Sequence, residues 1–274
     1  MNILFGIISF REQYVDSLTF QDLIASHKNS GSNQDLNLFI FDNTDNDSWK
    51  AEQAILPNCN IVYHHNRNNV GISKAYNFIA KYAKEQNFDY IVFLDQDTNL
   101  PLEAYTKYIE STNLSIDIAA PLIFENNTLL SPSKYNNYRT SFYENIKEDK
   151  IKLENVSCIN SGLLIKTDFF FNVGGYNEKL RLDFCDHEFV QRVKKFTNYL
   201  YIISLRLEQN FSTNTNSKEK ALFRYSLFIK DIKAFKKINN NDFLITLLVD
   251  LPHLLRLTLQ YKSLLFIKKR LQLR

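Results

Sequence analysis

The 274-residue sequence predicts an α/β fold in which a mixed, mostly parallel sheet carries helices on both faces. Strand-like apolar runs alternate with segments of helical spacing through the first half of the chain. These runs are nearly continuous in apolar residues, as is typical of strands buried on both faces. The hydrophobic content of 45% is sufficient for a substantial core.

The predicted elements follow one another in a regular order. "NILFGIISF" predicts a first strand, residues 13–28 a helix, "LNLFIFDNTD" a second strand and "NIVYHHN" a third. "GISKAYNFIAKYAKEQ" has helical spacing, and "YIVFLDQD" predicts a fourth strand. Farther along, "SGLLIKTDFF" predicts a turn, a strand and a helix capped near Thr167, which the glycines of "VGGYNE" would end.

The C-terminal part differs from the rest in charge. From Lys218 to Arg274 there are thirteen Lys and Arg residues and four Asp and Glu residues, a balance of +9 that leaves the preceding residues at −6. We therefore expect two parts, a domain at 1–215 and a basic amphipathic helical extension at 216–274. Such an extension could bind an anionic membrane surface. It is equally consistent with helices that pack on the body and expose a basic face to solvent.

Other sequence features bound the cellular setting. The net charge of only +3 argues against general nucleic-acid binding. The apolar N-terminal stretch lacks the basic region and cleavage site of a signal peptide, and the run "FLITLLV" is too short to span a membrane. The three cysteines form no CxxC pair, which fits a reducing compartment. We therefore expect a cytoplasmic protein.

Polar side chains follow the predicted strands, where open parallel sheets bind their ligands. The most distinctive pair is Asp95 and Asp97 in "FLDQDT". Two neighbouring carboxylates repel each other unless a cation or water separates them, and a hard divalent cation prefers such oxygen ligands. An acidic turn after a strand is the simpler alternative.

Two other enzyme classes fit the sequence poorly. Phosphatases of the haloacid dehalogenase type require Thr or Val where Asn99 stands. A nucleotidyltransferase on a similar sheet would need a glycine-rich, basic loop after the first strand, where this chain has the lone Arg11.

Four ordered segments resemble those of family 2 glycosyltransferases of GT-A fold, especially the bacterial rhamnosyltransferase-like members. They are "FDNTDND", "NNVGISKAYN", "FLDQDT" and "NSGLLIKTDFFFNVGGYNEKLRLDFCDHEFVQRV". The resemblance implies a Rossmann-like domain for nucleotide-diphospho-sugars. Its implied activity is inverting transfer of a sugar, L-rhamnose from dTDP-rhamnose or else the sugar of a UDP-sugar, to a bacterial surface polysaccharide or lipid-linked glycan precursor. A non-catalytic sugar-nucleotide or glycan-binding partner in an assembly complex is the alternative.

The resemblance also implies roles for the donor side of the site. Asp42 would hold the nucleotide base, while Asn69 and Gly71 would shape the adjoining loop. Asn77 would help to line the same site. Asp95 and Asp97 would bind the sugar nucleotide and a divalent cation, Mg²⁺ or Mn²⁺; Asp97 is the expected direct ligand.

On the acceptor side, the resemblance implies that Asp186 is the general base. Glu188 and Arg192 would support the base or the acceptor, although their spacing of four residues also predicts an ion pair on a helix. The chain departs from the family at Cys185, where relatives carry a small aliphatic or acidic residue. Gln209 stands where many members have a histidine that joins the metal.

Overall fold

The computed structural model describes residues 1–46, 48–209 and 217–273. The strands are β1 (Ile3–Ser9), β2 (Leu36–Asp42), β3 (Cys59–His65), β4 (Tyr90–Asp95), β5 (Thr98–Asn99), β6 (Ile118–Glu125), β7 (Thr128–Ser131), β8 (Ser133–Asn136), β9 (Arg139–Ser141), β10 (Lys150–Lys152), β11 (Val156–Ser157), β12 (Leu164–Lys166) and β13 (Tyr199–Gln209). The helices are α1 (Leu18–Asn29), α2 (Ile72–Glu85), α3 (Ala104–Thr112), α4 (Thr167–Val173), α5 (Cys185–Val193), α6 (Lys218–Asn239), α7 (Asp242–Ile245), α8 (Leu251–Gln260) and α9 (Leu265–Gln272). A π-helical turn, Thr246–Asp250, joins α7 to α8.

The central sheet has the strand order β10-β13-β6-β12-β4-β1-β2-β3, with β5 added to β13 and β7 to β6. Strands β1 to β4 pair in parallel, and β6 pairs in parallel with β13. The antiparallel strand β12 lies between β4 and β6, so these two strands run in the same direction. The prediction of a mixed, mostly parallel sheet is confirmed.

Helices cover both faces of this sheet because the side chains of each strand alternate. On β1, Leu4 and Ile8 join one hydrophobic cluster with α2, α4, α5 and α6, whereas Phe5 and Ile7 join another with α1 and α3. Each fully buried side chain of this size contributes about 1.5–3 kcal/mol to folding. The strands are therefore held from both sides, which fixes the positions of their ends.

The strands and helices predicted from the sequence form, with differences at the start of two helices. The helix predicted over residues 13–28 begins only at Leu18, after a 3₁₀ turn at Tyr14–Asp16, and the second difference is at α4. This helix begins at Thr167 and ends before Gly174, whose φ of +93° is the left-handed conformation that favours glycine. However, the N-cap residue is Lys166, and the Thr167 hydroxyl is buried without a hydrogen-bond partner. Thr167 therefore marks the helix start without capping it.

The first helix of the basic tail packs against the body. Tyr225, Phe228, Ile229 and Ile232 of α6 lie in the same hydrophobic cluster as α2, α4 and α5. The predicted boundary between residues 215 and 216 lies outside the described residues, and the division into a domain and an extension stays a prediction. Within the described ranges, no helix has both the length and the hydropathy to cross a membrane.

Candidate active site

The register of the parallel strands brings the polar strand ends together. Ser9 at the end of β1 lies beside Asp42 of β2, and its neighbour Ile8 lies beside Asp95 of β4. Strand β13 runs in the same direction and ends at Gln209. The predicted cluster of polar groups at the carboxyl edge of the sheet is therefore confirmed.

The turn that carries the two aspartates is fixed by its middle residue. The Gln96 side chain accepts a hydrogen bond from the N–H of Phe10 at 2.6 Å and donates to the Phe10 carbonyl at 3.3 Å. The Thr19 hydroxyl lies 2.6 Å from the carbonyl oxygen of Asp95 and accepts from the Thr98 N–H at 2.9 Å. The turn thus has a defined geometry before any ligand binds.

Ser161 supports the same turn from the loop before β12. Its buried hydroxyl accepts from the N–H of Asp95 at 3.0 Å and lies 2.6 Å from the Thr98 hydroxyl. The next residue, Gly162, has a φ of +82°, and a side chain there would approach Pro121 to 2.6 Å. Ser161 therefore helps to hold the turn that carries the two aspartates.

The two aspartates differ in their surroundings. Asp95 accepts a hydrogen bond from the Tyr76 hydroxyl at 2.7 Å, and burial raises its pKa to about 6, with further contributions from the charges of Asp97 and Asp186. Asp97 lies at the rim of the site, where partial burial also raises its pKa. Burial raises the pKa of Glu12, with contributions from the charges of Asp16 and then Asp97, so a third carboxylate lies near this rim.

Gln209 joins the two carboxylates. Its side-chain nitrogen lies 3.4 Å from Oδ2 of Asp95 and 3.4 Å from Oδ1 of Asp97, so both oxygens face one point. The other end of this amide, Oε1, is buried without a hydrogen-bond partner. An exchange of the amide nitrogen and oxygen would direct a third oxygen at the same point, a ligand set that suits Mg²⁺ or Mn²⁺.

These residues fit a hard divalent cation through two carboxylates and an amide oxygen. Among the described residues, no group of three or more His, Cys, Asp and Glu side chains is arranged to hold a metal ion. The expected metal ligands, Asp95 and Asp97, therefore stay a prediction, as does the third ligand Gln209.

Asp42, the expected partner of the nucleotide base, is fully buried. Its Oδ2 accepts from the Tyr63 hydroxyl and the Trp49 indole nitrogen, both at 2.7 Å, and its Oδ1 accepts from the Thr44 N–H at 3.0 Å. A base could reach this carboxylate only after Trp49 or Tyr63 had moved. The role of Asp42 in binding the base stays a prediction, and it requires that one of these two side chains moves.

Asn69 and Gly71 shape a loop that leads into α2. Asn69 Oδ1 accepts from the Gly71 N–H at 3.0 Å, and Asn43 accepts from the Val70 N–H at 2.8 Å. Gly71 has a φ of +87°, and a side chain at this position would meet the carbonyl oxygen of Arg181 at 2.6 Å. Glycine is thus required here by both conformation and space.

The side chain of Asn77 is hydrogen-bonded to a turn that lies outside the sheet edge. Its amide accepts from the Tyr176 N–H at 2.8 Å and donates to the Tyr176 carbonyl at 2.9 Å and to Glu178 at 3.1 Å. These bonds give Asn77 a structural function that the sequence did not indicate. Its predicted contact with the nucleotide is untested.

Asp186, the expected base, lies in the first turn of α5 with about a fifth of its side chain exposed. Nδ1 of the neighbouring His187 lies 3.8 Å from Oδ1 of Asp186 and 2.6 Å from the Ser157 hydroxyl, and the ring stacks on Tyr135 at 4.6 Å between centroids. Burial is the main cause of the raised pKa of Asp95, and the charge of Asp186 adds a smaller contribution, which is consistent with the two carboxylates lying on the same side of the site. Asp186 thus keeps part of its side chain exposed, and its role as the base stays a prediction.

Glu188 and Arg192 form the predicted ion pair. Two guanidinium nitrogens of Arg192 donate to the two oxygens of the buried Glu188, each at 2.8 Å. The same guanidinium donates to the carbonyls of Val173 and Gly175 at the end of α4. The pair therefore joins α5 to α4, and its expected support of the base or acceptor stays a prediction.

Several supporting residues were not recognised from the sequence. Tyr76 and Glu12 contact or approach the aspartate pair, and Gln96 fixes its turn. Tyr76 is the position with a recognisable signal, since it stands between Ala75 and Asn77 in the matched "NNVGISKAYN" segment. The others depend on contacts between residues distant in the chain.

Sequence comparison finds similarity to a known sugar transferase. The dTDP-rhamnosyl transferase RfbF of Shigella flexneri is 25% identical over 177 residues, which covers 62% of this chain and 58% of the relative. The chain thus spans less than two thirds of that relative's length.

Solved structures show the same fold at low sequence identity. GalNAc-T7 with UDP, GalNAc and Mn²⁺ has a TM-score of 0.56 at 13% identity, over 89% of this chain and 56% of that one. TarS 1–349 of S. aureus in complex with UDP-GlcNAc has a TM-score of 0.54 at 15% identity, over 85% of this chain and 66% of that one. At these identities the likeness establishes the GT-A fold.

The model of the family described as Glycosyl transferase family 2 matches residues 7–170, more than half of the chain. This range includes the strands that end at Asp42 and Asp95 and the loop that contains Gly71. With its GT-A fold and its acidic carboxyl edge, the chain belongs to the family 2 glycosyltransferases.

Proposed function

We propose that this protein is an inverting glycosyltransferase that transfers L-rhamnose from dTDP-rhamnose to a bacterial surface polysaccharide or its lipid-linked precursor. The observation that carries the proposal is the meeting of Asp95, Asp97 and Gln209 at one point of the carboxyl edge. The rhamnosyl donor is supported by the relative RfbF, whose name gives that activity. The structural neighbours bind UDP and UDP-GlcNAc, which supports a nucleotide-sugar donor more generally.

Asp186 carries the proton transfer in this proposal. An acceptor hydroxyl loses its proton as it attacks the anomeric carbon, and a carboxylate within hydrogen-bond reach can accept that proton. Asp186 is partly exposed and shares the site with Asp95. A single displacement of this kind inverts the configuration at the anomeric carbon.

Asp95, Asp97 and Gln209 would hold the divalent cation, Mg²⁺ or Mn²⁺. When bound, such an ion supplies a Lewis acid that offsets the negative charge of the leaving nucleoside diphosphate. The bonds from Gln96 to Phe10 keep both carboxylates in place for this role. The neighbour GalNAc-T7, which was solved with Mn²⁺, supports the choice of ion.

We further propose that the protein works in the cytoplasm at the inner face of the cell membrane, where lipid-linked acceptors are found. Its basic C-terminal helices support this location. Nucleic acid is not among the proposed partners.

Isothermal titration with dTDP-rhamnose, UDP-galactose, UDP-glucose and GDP-mannose, with and without Mn²⁺ or Mg²⁺, tests the donor site. We expect dTDP-rhamnose to bind most tightly, the metal to strengthen binding, and Asp97→Ala to weaken it. Asp89→Ala is the matched control, because Asp89 is an exposed aspartate just before the opposite end of the same strand. If none of these donors binds with either metal, the proposed function is wrong.

A measurement of turnover distinguishes a glycosyltransferase from a non-catalytic sugar-nucleotide-binding protein. Transfer of labelled rhamnose to a lipid-linked glycan fraction would support the enzyme. Donor binding by the wild type without hydrolysis or transfer to any acceptor would favour a sugar-nucleotide-binding partner.

A further inference from the structure

The C-terminal helices expose a line of leucines. Helix α7, the π turn and α8 form one continuous helical segment from Asp242 to Gln260. Five leucines on this segment are exposed and follow each other at spacings of three, four, four and four residues, which places them along one face. This leucine ridge consists of Leu244, Leu247, Leu251, Leu255 and Leu259.

The opposite side of the same segment already packs on the protein. Ile245 and Leu257 are buried, and the His253 ring lies 4.2 Å from the Phe228 ring of α6. The buried carboxylate of Asp250 is paired with Lys236 and Arg270. The ridge is therefore the remaining apolar face of a helix whose orientation is fixed by its other contacts.

The charge around the ridge is mostly positive, although the exposed carboxylate of Asp242, which lies 3.3 Å from Lys236, stands at its start. Residues 251–274 contain six Lys and Arg residues and no Asp or Glu. The acidic residue just before them, Asp250, is almost completely buried in its ion pairs and presents no negative charge at the surface. Arg256 and Lys262 are exposed on and just after α8. An apolar line beside positive charge is complementary to a surface that is apolar inside and anionic outside.

A groove between α6 and α9 combines the same two properties. Its volume is about 460 Å³, and its lining includes Phe223, Leu265, Lys268 and Lys269. Phe223 is 67% exposed and adds apolar surface to the lining of the groove. The two lysines suit a phosphate group, and the apolar lining suits the adjoining acyl chain.

We propose that the leucine ridge and its neighbouring cations form a peripheral docking surface for a bilayer containing anionic phospholipid. The ridge would enter the boundary between headgroups and acyl chains while Arg256, Lys262, Lys268 and Lys269 contact lipid phosphates. A symmetric contact between the ridges of two copies would bring an excess of positive charge together, because residues 251–274 contain no acidic residue to balance their cations. This surface is separate from the donor site and goes beyond the proposed transfer reaction.

Vesicle cosedimentation without any sugar donor tests this surface, so its result is independent of the transfer reaction. The wild type is compared on vesicles of phosphatidylglycerol mixed with phosphatidylcholine and on pure phosphatidylcholine, at low and high salt. We expect binding to the anionic vesicles that falls at high salt and falls by at least about tenfold in Leu251→Gln/Leu255→Gln. The matched control is Leu102→Gln/Leu114→Gln, which changes two exposed leucines of the body.

A second variant keeps the test valid if the leucine variant does not fold. Lys268→Glu/Lys269→Glu keeps the ridge intact and should also weaken binding to anionic vesicles, while circular dichroism confirms that each variant keeps its helices. Unchanged vesicle binding in both folded variants would overturn the proposal. A stable dimer without lipid that the ridge variant dissociates in analytical ultracentrifugation would overturn it in favour of a second copy.

Discussion

Arg224 of α6 forms a two-point ion pair with Asp183, the residue that stands two positions before α5. Its two terminal nitrogens lie 2.6 Å from the two carboxylate oxygens. Because α5 carries Asp186 in its first turn, this pair attaches the basic tail to the segment that positions the expected base. The first helix of the tail is thus part of the support of the candidate site.

A second carboxylate of α6 strengthens this attachment. Asp231 accepts hydrogen bonds from three consecutive backbone N–H groups, those of Arg181, Leu182 and Asp183, at 2.8–3.0 Å. The Asp231 residue is nearly completely buried, so these donors have no ready replacement in water. The conformation of the 181–183 segment therefore depends on α6.

Asp231→Ala is expected to destabilise the protein and to slow transfer. Loss of a buried acceptor for three N–H groups should cost about 2–4 kcal/mol in the free energy of unfolding, measured with urea. The turnover number should fall while the dissociation constant of the donor stays near that of the wild type, because the change reaches the segment before Asp186. Asp242→Ala, which removes an exposed carboxylate of the tail, is the control. A variant with normal turnover would show that α6 does not position the base.

Asp186 and Glu188 should respond differently to loss of charge, although they are two residues apart. Asp186→Asn should lower turnover by about 10²–10⁴-fold, the usual contribution of a general base, with little change in stability. Glu188→Gln should lower the free energy of unfolding by about 3 kcal/mol, because it breaks the buried pair with Arg192. Urea unfolding and single-turnover transfer measure the two effects. A strong loss of stability in Asp186→Asn, with donor turnover unchanged, would contradict the assignment of the base.

His253 introduces a pH dependence in the packing of the tail. Its ring lies against Tyr225 and Phe228, and burial lowers its pKa to about 4, with a further contribution from Arg256. The unfolded chain therefore binds a proton at a higher pH than the folded chain does. The resulting stability is complete above the ordinary histidine pKa and is lost as the pH falls from about 6.5 towards 4.

The test compares the free energy of unfolding of the wild type and His253→Gln across this pH range. We expect the difference between them to change by at most about 3 kcal/mol, from 1.4 kcal/mol for each unit of pKa, with the wild type losing more stability at low pH. His65→Gln is a control on the distant sheet edge, where the ring bonds the Thr44 carbonyl. Parallel curves for the wild type and His253→Gln would contradict the prediction.

The sheet and its acidic edge were predictable because they depend on local patterns. Apolar runs identify strands such as β4, and residues that directly follow a run, such as Asp97, must lie at its end. The support of the edge was not predictable. Gln96 bonds Phe10 across 86 residues and Asp231 bonds Asp183 across 48, and no periodicity in the sequence reports such pairs. The contacts of Trp49 and Tyr63 with Asp42 were not predictable either, because the three residues lie in separate segments of the chain.

The two possible roles of Gln209 predict opposite changes in cation affinity when this residue is replaced. Its amide lies between Asp95 and Asp97, where it either supplies an oxygen to a cation or only separates the two negative charges. The buried Oε1 without a partner favours the first role, since an amide that only donated would leave this oxygen unsatisfied at a cost. Rotation of the amide on metal binding would give that oxygen a partner.

Titration of the donor-free protein with Mn²⁺, followed by electron paramagnetic resonance, distinguishes the two roles. If Gln209 is a ligand, Gln209→Ala should lower the Mn²⁺ affinity by about tenfold and Gln209→His should restore it, because imidazole is also a ligand for such ions. If the amide only separates the charges, Gln209→Ala should raise the affinity, since a competitor of the cation is removed. Gln53→Ala, at an exposed glutamine, is the control that should leave the titration unchanged.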